Sequence, residues 1–256
     1  MSNTQPIRTQ TVDRLRVSVY PDRPALGEAA GADVAGRVRA LLAARPNVRM
    51  IFAAAPSQNE TLAALVRADG IDWSRVTAFH MDEYIGLADG APQKFSRYLR
   101  EQLFDVVRPG VVHLIDGAAD PAAECRRYGR LLGEAPIDAV CLGIGENGHI
   151  AFNDPPVADF ADPQAVKVVE LDEACRRQQV HDGCFPAFEA VPTHAITLTI
   201  PTLTGGAHLF CAVPGPTKRW AVGRTLNGPV STECPSTILR QHPDCTLYVD
   251  RDSFGY

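Results

Sequence analysis

Two adjacent carboxylates, Asp82 and Glu83, follow the apolar run at residues 76–81. Neighbouring side chains on an extended segment point to opposite sides, so one can enter a crevice while the other braces the loop. A partly desolvated Asp82 there could abstract a carbon-bound proton. An isolated Asp-Glu pair is more commonly a solvated turn or a helix cap. A second segment, Gly143-Ile144-Gly145-Glu146-Asn147-Gly148-His149, follows the apolar run at 137–142. Its three glycines permit tight turning and close approach of backbone to a ligand, and they deliver a histidine, a common acid–base residue, at the crevice. Asp154, five residues on, could orient that imidazole. The spacing Gly-x-Gly-x-x-Gly is also that of a dinucleotide site, but it lies mid-chain and the first expected strand–helix–strand unit has no such glycines. A glycine turn with an exposed histidine is the plain alternative.

Two further segments suit an anion. Val213-Pro214-Gly215-Pro216-Thr217-Lys218-Arg219 reads as strand, turn and helix start, with Lys218 in the first turn, where free N–H groups and the helix dipole favour phosphate. An ordinary exposed lysine is the commoner fate. In Ala55-Pro56-Ser57-Gln58-Asn59 a hydroxyl and amides could hold phosphate oxygens, although the glycines and lysine of a P-loop are missing. His80, His113, His181, His194, His208 and His242 form no compact ligand spacing, so no metal is expected. No Gly-x-Ser-x-Gly elbow occurs, which leaves serine hydrolase chemistry without an anchor.

Each of these segments needs an element to position it. Short β-branched or aliphatic runs at 17–20, 48–55, 76–81, 111–115, 137–142, 166–171, 195–200, 208–213 and 246–249 read as strands, several of them apolar on both faces. Between them, residues 32–44 place Val34, Val38, Leu41 and Leu42 on one helical stripe; 61–68, 95–107, 121–132 and 217–226 are similar. This alternation predicts an α/β fold with a mainly parallel sheet covered by helices on both faces, and ligands at the carboxyl ends of the strands. Helix starts are expected at Asn59 or Glu60 and at Thr217. The Pro-rich piece at 153–163 is expected as a surface loop near the site. Without repeats or a linker, one domain over residues 1–256 is expected.

Composition bounds the partners. The chain is 45% hydrophobic and 21% charged with a formal charge of −5, and no Lys/Arg cluster runs along it. Nucleic acid and anionic membranes are therefore not expected as partners, and an anionic substrate would need a locally placed cation. Seven scattered cysteines without a Cys-x-x-Cys pair argue against a disulfide framework or thiolate zinc site and for the cytoplasm. Residues 1–12 are polar, and no run of about 18 apolar residues occurs, so neither secretion by a signal peptide nor membrane spanning is expected.

Taken in order, Met81-Asp82-Glu83-Tyr84-Ile85-Gly86-Leu87, residues 143–155, the Lys218 loop and residues 231–250 with Gln241-His242-Pro243 resemble glucosamine-6-phosphate deaminases. The resemblance runs from about Val48 to the C-terminus. It implies a superfamily shared with 6-phosphogluconolactonases and a Rossmann-like three-layer α/β/α sandwich; the Met-Asp-Glu-Tyr form favours the deaminase branch. It further implies that Asp82 moves a proton between C2 and C1 and that His149 assists opening of the sugar ring, with Asn147 and Asp154 as its partners. Lys218 and Ser57, Gln58 and Asn59 would grip the phosphate, with Glu83, Gly145 and Gly148 completing the substrate site. No cofactor is implied, and self-association into a homo-oligomer is. Asp154 stands where the family usually has Glu, Asn147 where many members have Asp, and Gln179 where an arginine is expected, with Arg176 or Arg177 as substitutes; these departures imply a divergent subgroup. The alternatives are a 6-phosphogluconolactonase, with His149 activating water, and a sugar-phosphate sensor, which would normally carry a helix-turn-helix that the residues before Val17 are too few to form.

Overall fold

Apolar strands that cannot satisfy their backbone alone pair here into one sheet of eight strands and a second of three. The computed structural model describes residues 5–255, so the ends of the expected 1–256 domain lie outside the described residues. The strands of the large sheet are Arg8–Val12 (β1), Leu15–Tyr20 (β2), Val48–Phe52 (β3), Val76–His80 (β4), Val111–His113 (β6), Ala139–Leu142 (β7), His208–Val213 (β10) and Cys245–Asp250 (β11); Asp82–Tyr84 (β5), Val166–Glu170 (β8) and His194–Leu198 (β9) form the small one. The order across the large sheet is β1-β2-β11-β10-β7-β3-β4-β6. From β2 to β6 it is parallel; only β1 is antiparallel, as a polar hairpin strand on the edge. Sequence reading missed β1 because its residues, Arg-Thr-Gln-Thr-Val, lack the apolar period of a buried strand.

The sheet separates two apolar layers. Val48, Met50 and Phe52 of β3, Ala139 and Cys141 of β7, and Phe210 and Ala212 of β10 face one core, while Ile51, Val140, Leu142, Leu209, Cys211 and Val213 face the other. Arg23–Ala44 (α1), Asn59–Val66 (α2) and Phe95–Leu99 (α3) cover the first face. A π turn at Arg100–Phe104 carries α3 into Asp105–Val107 (α4), so the helix expected over 95–107 is interrupted. Pro121–Gly133 (α5) covers the second face. Glu173–His181 (α6) packs beside the cleft described below, and Ile200–Thr204 (α7), Arg219–Asn227 (α8) and Arg251–Phe254 (α9) complete the helices. The three-layer α/β/α sandwich is the expected one.

α1 begins at Arg23 rather than at 32, capped by Asp22, whose carboxylate accepts from Ala25 N at 2.9 Å. Its first turns are rich in Ala and Gly, which hides the apolar stripe. The glycines have a reason: a Cβ on Gly27 would lie 2.2 Å from Glu60 Cβ, and one on Gly31 2.6 Å from Ala64 Cβ. α1 and α2 therefore cross at a distance that no larger residue allows.

Two expectations need correction. The runs at 166–171 and 195–200 were expected in the parallel sheet; they pair antiparallel with each other and with β5 in the separate sheet β5-β9-β8. An apolar run announces a strand but not its neighbour, which lies far away in sequence. α6 was missed altogether, because Glu-Ala-Cys-Arg-Arg-Gln-Gln-Val-His has little apolar periodicity. From β3 the chain steps outward through β4 to β6, then returns to the other side of β3 as β7 and proceeds through β10 to β11. The loops after β3 and β7 thus diverge at a topological switch point, where an open α/β sheet forms its ligand crevice.

Candidate active site

A small cleft, about 70 Å³, opens at that switch point. Its walls come from the loop after β3 (Ala53 to Gln58), the β4–β5 junction (Met81, Asp82), the loop after β7 (Gly143 to Gly145, His149) and Lys218 after β10, together with Phe95, Phe152 and the end of α6.

Asp82 enters the cleft and Glu83 turns away, as alternation along a strand requires. Asp82 is only 6% exposed, against a wall that includes Met81, Phe95 and Phe152. That burial pushes its carboxyl well above the ordinary carboxylate range, and the charge of Glu83 pushes the same way. Glu83 was expected to hold substrate. Instead Oε1 accepts from Tyr84 N and Phe95 N at 3.1 and 3.0 Å and Oε2 from Ser96 N at 2.9 Å, so Glu83 ties β5 to the start of α3.

The loop after β7 folds around its histidine. Gly145 N donates to His149 O at 2.9 Å and Gly148 N to Gly145 O at 3.0 Å. Gly148 has φ +86°, and a Cβ there would lie 2.5 Å from Cys234 Sγ; it shapes the turn and does not line the cleft. Gly145 does line it, and a Cβ there would lie 2.2 Å from the His149 ring. Gly145→Ala is therefore expected to displace the imidazole, lowering kcat by about 10²-fold with a near-native thermal midpoint; kinetics and thermal melts on the same preparation check it.

Behind the ring, His149 Nδ1 lies 2.8 Å from Asp154 Oδ1, too oblique for a straight hydrogen bond. Asn147 braces both: its Oδ1 accepts from His149 N at 3.0 Å and its Nδ2 donates to Asp154 Oδ1 at 2.9 Å. Asn147 and Asp154 stand behind the cleft wall rather than in it. Burial pushes the Asp154 carboxyl up, but the positive field of His149 and the polar groups around it, the Asn147 amide among them, outweigh it and hold the group below the usual carboxylate range. Donor atoms of His149, Asp154 and Cys175 come within 4.8 Å of one another, a set that could hold a divalent ion. Two ligands at tetrahedral angles on zinc would sit about 3.3 Å apart. The 2.8 Å between His149 and Asp154 is shorter than that and suits a direct imidazole–carboxylate ion pair.

Lys218 is 5% exposed and faces the cleft. Among the described residues its ammonium has neither a hydrogen bond nor an ion-pair partner. Burial lowers its pKa, opposed by the more distant charges of Asp182 and Glu146. A buried, unpaired cation is costly unless an anion joins it. Ser57 lines the same cleft. Gln58, also in the wall, is a strut whose Nε2 donates to Ser57 Oγ and to Ala212 O, both at 3.2 Å, tying the loop after β3 to β10. Asn59 lies outside the cleft, its Oδ1 accepting from Tyr98 OH at 2.6 Å.

Gln178, Asp182 and Cys184, not read from sequence, reach the cleft from α6 and its C-terminal end beside Gln179, the position where an arginine was expected. Gln178 Oε1 accepts from Glu146 N at 2.7 Å, which docks α6 on the glycine loop. Arg176 and Arg177 were expected to substitute for a missing cation, but neither lines the cleft: Arg176 donates to Phe188 O and Val191 O at 3.0 and 2.9 Å, and Arg177 pairs with Glu173 at 2.5 Å. His242, part of the resemblance, is also structural, its Nε2 2.9 Å from Gly206 O near the amino ends of β10 and β11.

The model of the family of glucosamine-6-phosphate isomerases/6-phosphogluconolactonase matches residues 21–248. A glucosamine-6-phosphate deaminase of Exiguobacterium sp. is 38% identical over 187 residues, 73% of this chain and 72% of the relative. Among solved structures, a monomeric glucosamine-6-phosphate deaminase is similar with a TM-score of 0.83 at 29% identity, covering 93% of this chain and 98% of the other. A 6-phosphogluconolactonase from Shewanella baltica shares the fold, with a TM-score of 0.74 at 16% identity over 94% and 97% of the two chains. Among the described residues, no helix is long and apolar enough to cross a membrane.

Proposed function

Because the chain belongs to the family of glucosamine-6-phosphate isomerases and 6-phosphogluconolactonases, we propose that it is an enzyme converting glucosamine 6-phosphate, or a close epimer, to the ketose 6-phosphate and ammonia. The observation that carries this reading is one cleft that joins a desolvated carboxylate, Asp82, to a buried unpaired ammonium, Lys218, and an imidazole, His149, backed by a carboxylate. These are the parts the reaction needs: a base for a carbon-bound proton, an anchor for phosphate away from the reacting carbons, and an acid–base group for the ring oxygen.

In this reading Lys218 and Ser57 hold the phosphate. His149 takes the O1 proton of the hemiacetal and passes it to the ring oxygen as the ring opens, with Asp154 steadying the charge that the imidazole carries meanwhile. Asp82 then removes the C2 proton of the open-chain aldehyde while O1 takes up a proton from solvent, giving the enolamine, and Asp82 delivers its proton to C1, giving the imine at C2. Water adds to the imine, expelling ammonia and leaving the ketose. A carboxylate raised by burial is a stronger base than one in water, which suits a weakly acidic C–H.

The seven free thiols suit the cytoplasmic location read from sequence. The test is a panel of amino-sugar phosphates assayed for ammonia and ketose in deuterated water. Equimolar ammonia and ketose with solvent deuterium at C1 is the expected result; hydrolysis of 6-phosphogluconolactone without ammonia would replace it with the lactonase reading.

A further inference from the structure

The resting contacts of Asp154 leave one of its oxygens unaccounted for. Oδ1 takes the Asn147 amide and the approach of His149, whereas Oδ2 is buried with no partner among the described residues that meets ordinary hydrogen-bond geometry. The side chain that comes to this carboxylate from elsewhere in the chain is Cys175 of α6, 1% exposed, with its Sγ inside the same 4.8 Å cluster as the His149 and Asp154 donor atoms. We propose that the Cys175 thiol is a positioning residue for the reaction: it donates to the Asp154 carboxylate, shares its negative charge, and so holds His149 and Asp154 in register.

The proposal rests on the deaminase reading for its kinetic readout, and on geometry for the rest. Cys175 does not line the cleft, so it acts through Asp154 and does not touch substrate. It stays a thiol and not a thiolate, because burial first, and then the negative fields of Asp154, Asp82 and Asp172, push its pKa well up; a protonated thiol is a donor. The other groups facing Asp154 are His149 and Asn147 from the glycine loop and Glu170, Asp172 and Glu173 around the shallow depression on its outer side. None of the three outer carboxylates can donate when ionised, which leaves the thiol as the donor that α6 supplies. The placement also gives α6 a second hold on the site beside the Gln178 contact to Glu146 N. No local pattern marked this residue: Cys175 and Asp154 are joined only by the fold.

Cys175→Ser keeps a donor of similar shape, Cys175→Ala removes it, and Cys175→Val removes it while filling the space. The expected result is near-native kcat for Ser and about a tenfold loss of kcat for Ala and Val with unchanged KM. The loss of a donor raises the Asp154 carboxyl, so the acid limb of the kcat profile should move to higher pH in Ala and Val and stay in place in Ser. Wild-type kcat and profile in Ala and Val, or equal losses in all three variants, would overturn the proposal. If the wild-type protein releases no ammonia from any amino-sugar phosphate, the functional reading fails separately. The thiol role is then read without substrate, from thermal midpoints against pH. Asp154 stabilises the native state above the ordinary carboxylate range and loses that contribution as pH falls through its depressed value. In Ala and Val the contribution should be smaller and lost at higher pH; superimposable acid limbs in all four proteins would refute it.

Discussion

Asp82→Asn is expected to lower kcat by about 10³-fold while phosphosugar binding persists. Asparagine has the shape of the carboxylate and none of its basicity, so it tests the proton transfer and little else. Binding should survive because Lys218 and Ser57, not Asp82, face the phosphate in the proposed mode. The same substitution carries a second expectation, with a sign fixed by burial. Folding raises the Asp82 carboxyl, chiefly by desolvation. The native state therefore favours the protonated form, and the contribution of this group is full below the ordinary carboxylate range and is lost as pH rises through the raised native value. The variant is accordingly expected to match wild type in acid and to melt higher by about a few degrees at neutral and alkaline pH. Near-full activity in the Asp82→Asn protein would mean that some other group is the base. Equal melting of the two proteins at every pH would mean that the carboxylate is not desolvated as described above.

Lys218→Met is expected to weaken binding of a phosphosugar about 10- to 100-fold, with a smaller effect on kcat. Methionine retains much of the apolar stem and removes the charge. Inorganic phosphate is the direct probe: it should compete with substrate and raise the thermal midpoint in wild type, and do neither in the variant. Without phosphate the order of stability should reverse. Burial lowers the pKa of Lys218, so its charged form is penalised in the native state at neutral pH and below. The penalty is complete below the lowered native value and vanishes above the ordinary lysine range, where both states are neutral. Wild type and variant should thus converge at strongly alkaline pH, with the variant the more stable at pH 7. Phosphate protection of the variant equal to that of wild type would remove Lys218 from the anchor.

The strands and most helices were legible because their signals are local. A run such as Ile137 to Leu142 is apolar on both faces, and the helix at Thr61 to Ala68 carries its stripe within two turns. The elements that escaped are those whose burial is incomplete: the polar edge strand β1, and α6, which exposes one side and gives the other to the cleft. The start of α1 escaped for the opposite reason, since its glycines exist to admit α2 and look from sequence like a break.

For the cleft, sequence order and the position of each segment after a strand were enough to single out Asp82, His149 and Lys218, the side chains that the fold brings to one place. They were not enough for Glu83, whose oxygens are taken by the amides of Tyr84, Phe95 and Ser96, or for Asn59, which bonds Tyr98. In each pair of neighbours the residue type was right and the direction was not readable.

The sequence by itself therefore determined the α/β alternation, the parallel sheet and the strand ends at which chemistry could sit, because hydrophobic period and glycine placement act over a few residues. Only the tertiary structure decided which carboxylate faces substrate and that β5, β8 and β9 leave the main sheet. It also decided that α6 and its C-terminal end bring Gln178, Gln179 and Asp182 to the cleft and Cys175 to within 4.8 Å of the His149 and Asp154 side chains. The reason is desolvation and direction: the burial that lifts Asp82 and leaves Lys218 unpaired comes from residues distant in the chain, and no local pattern records them.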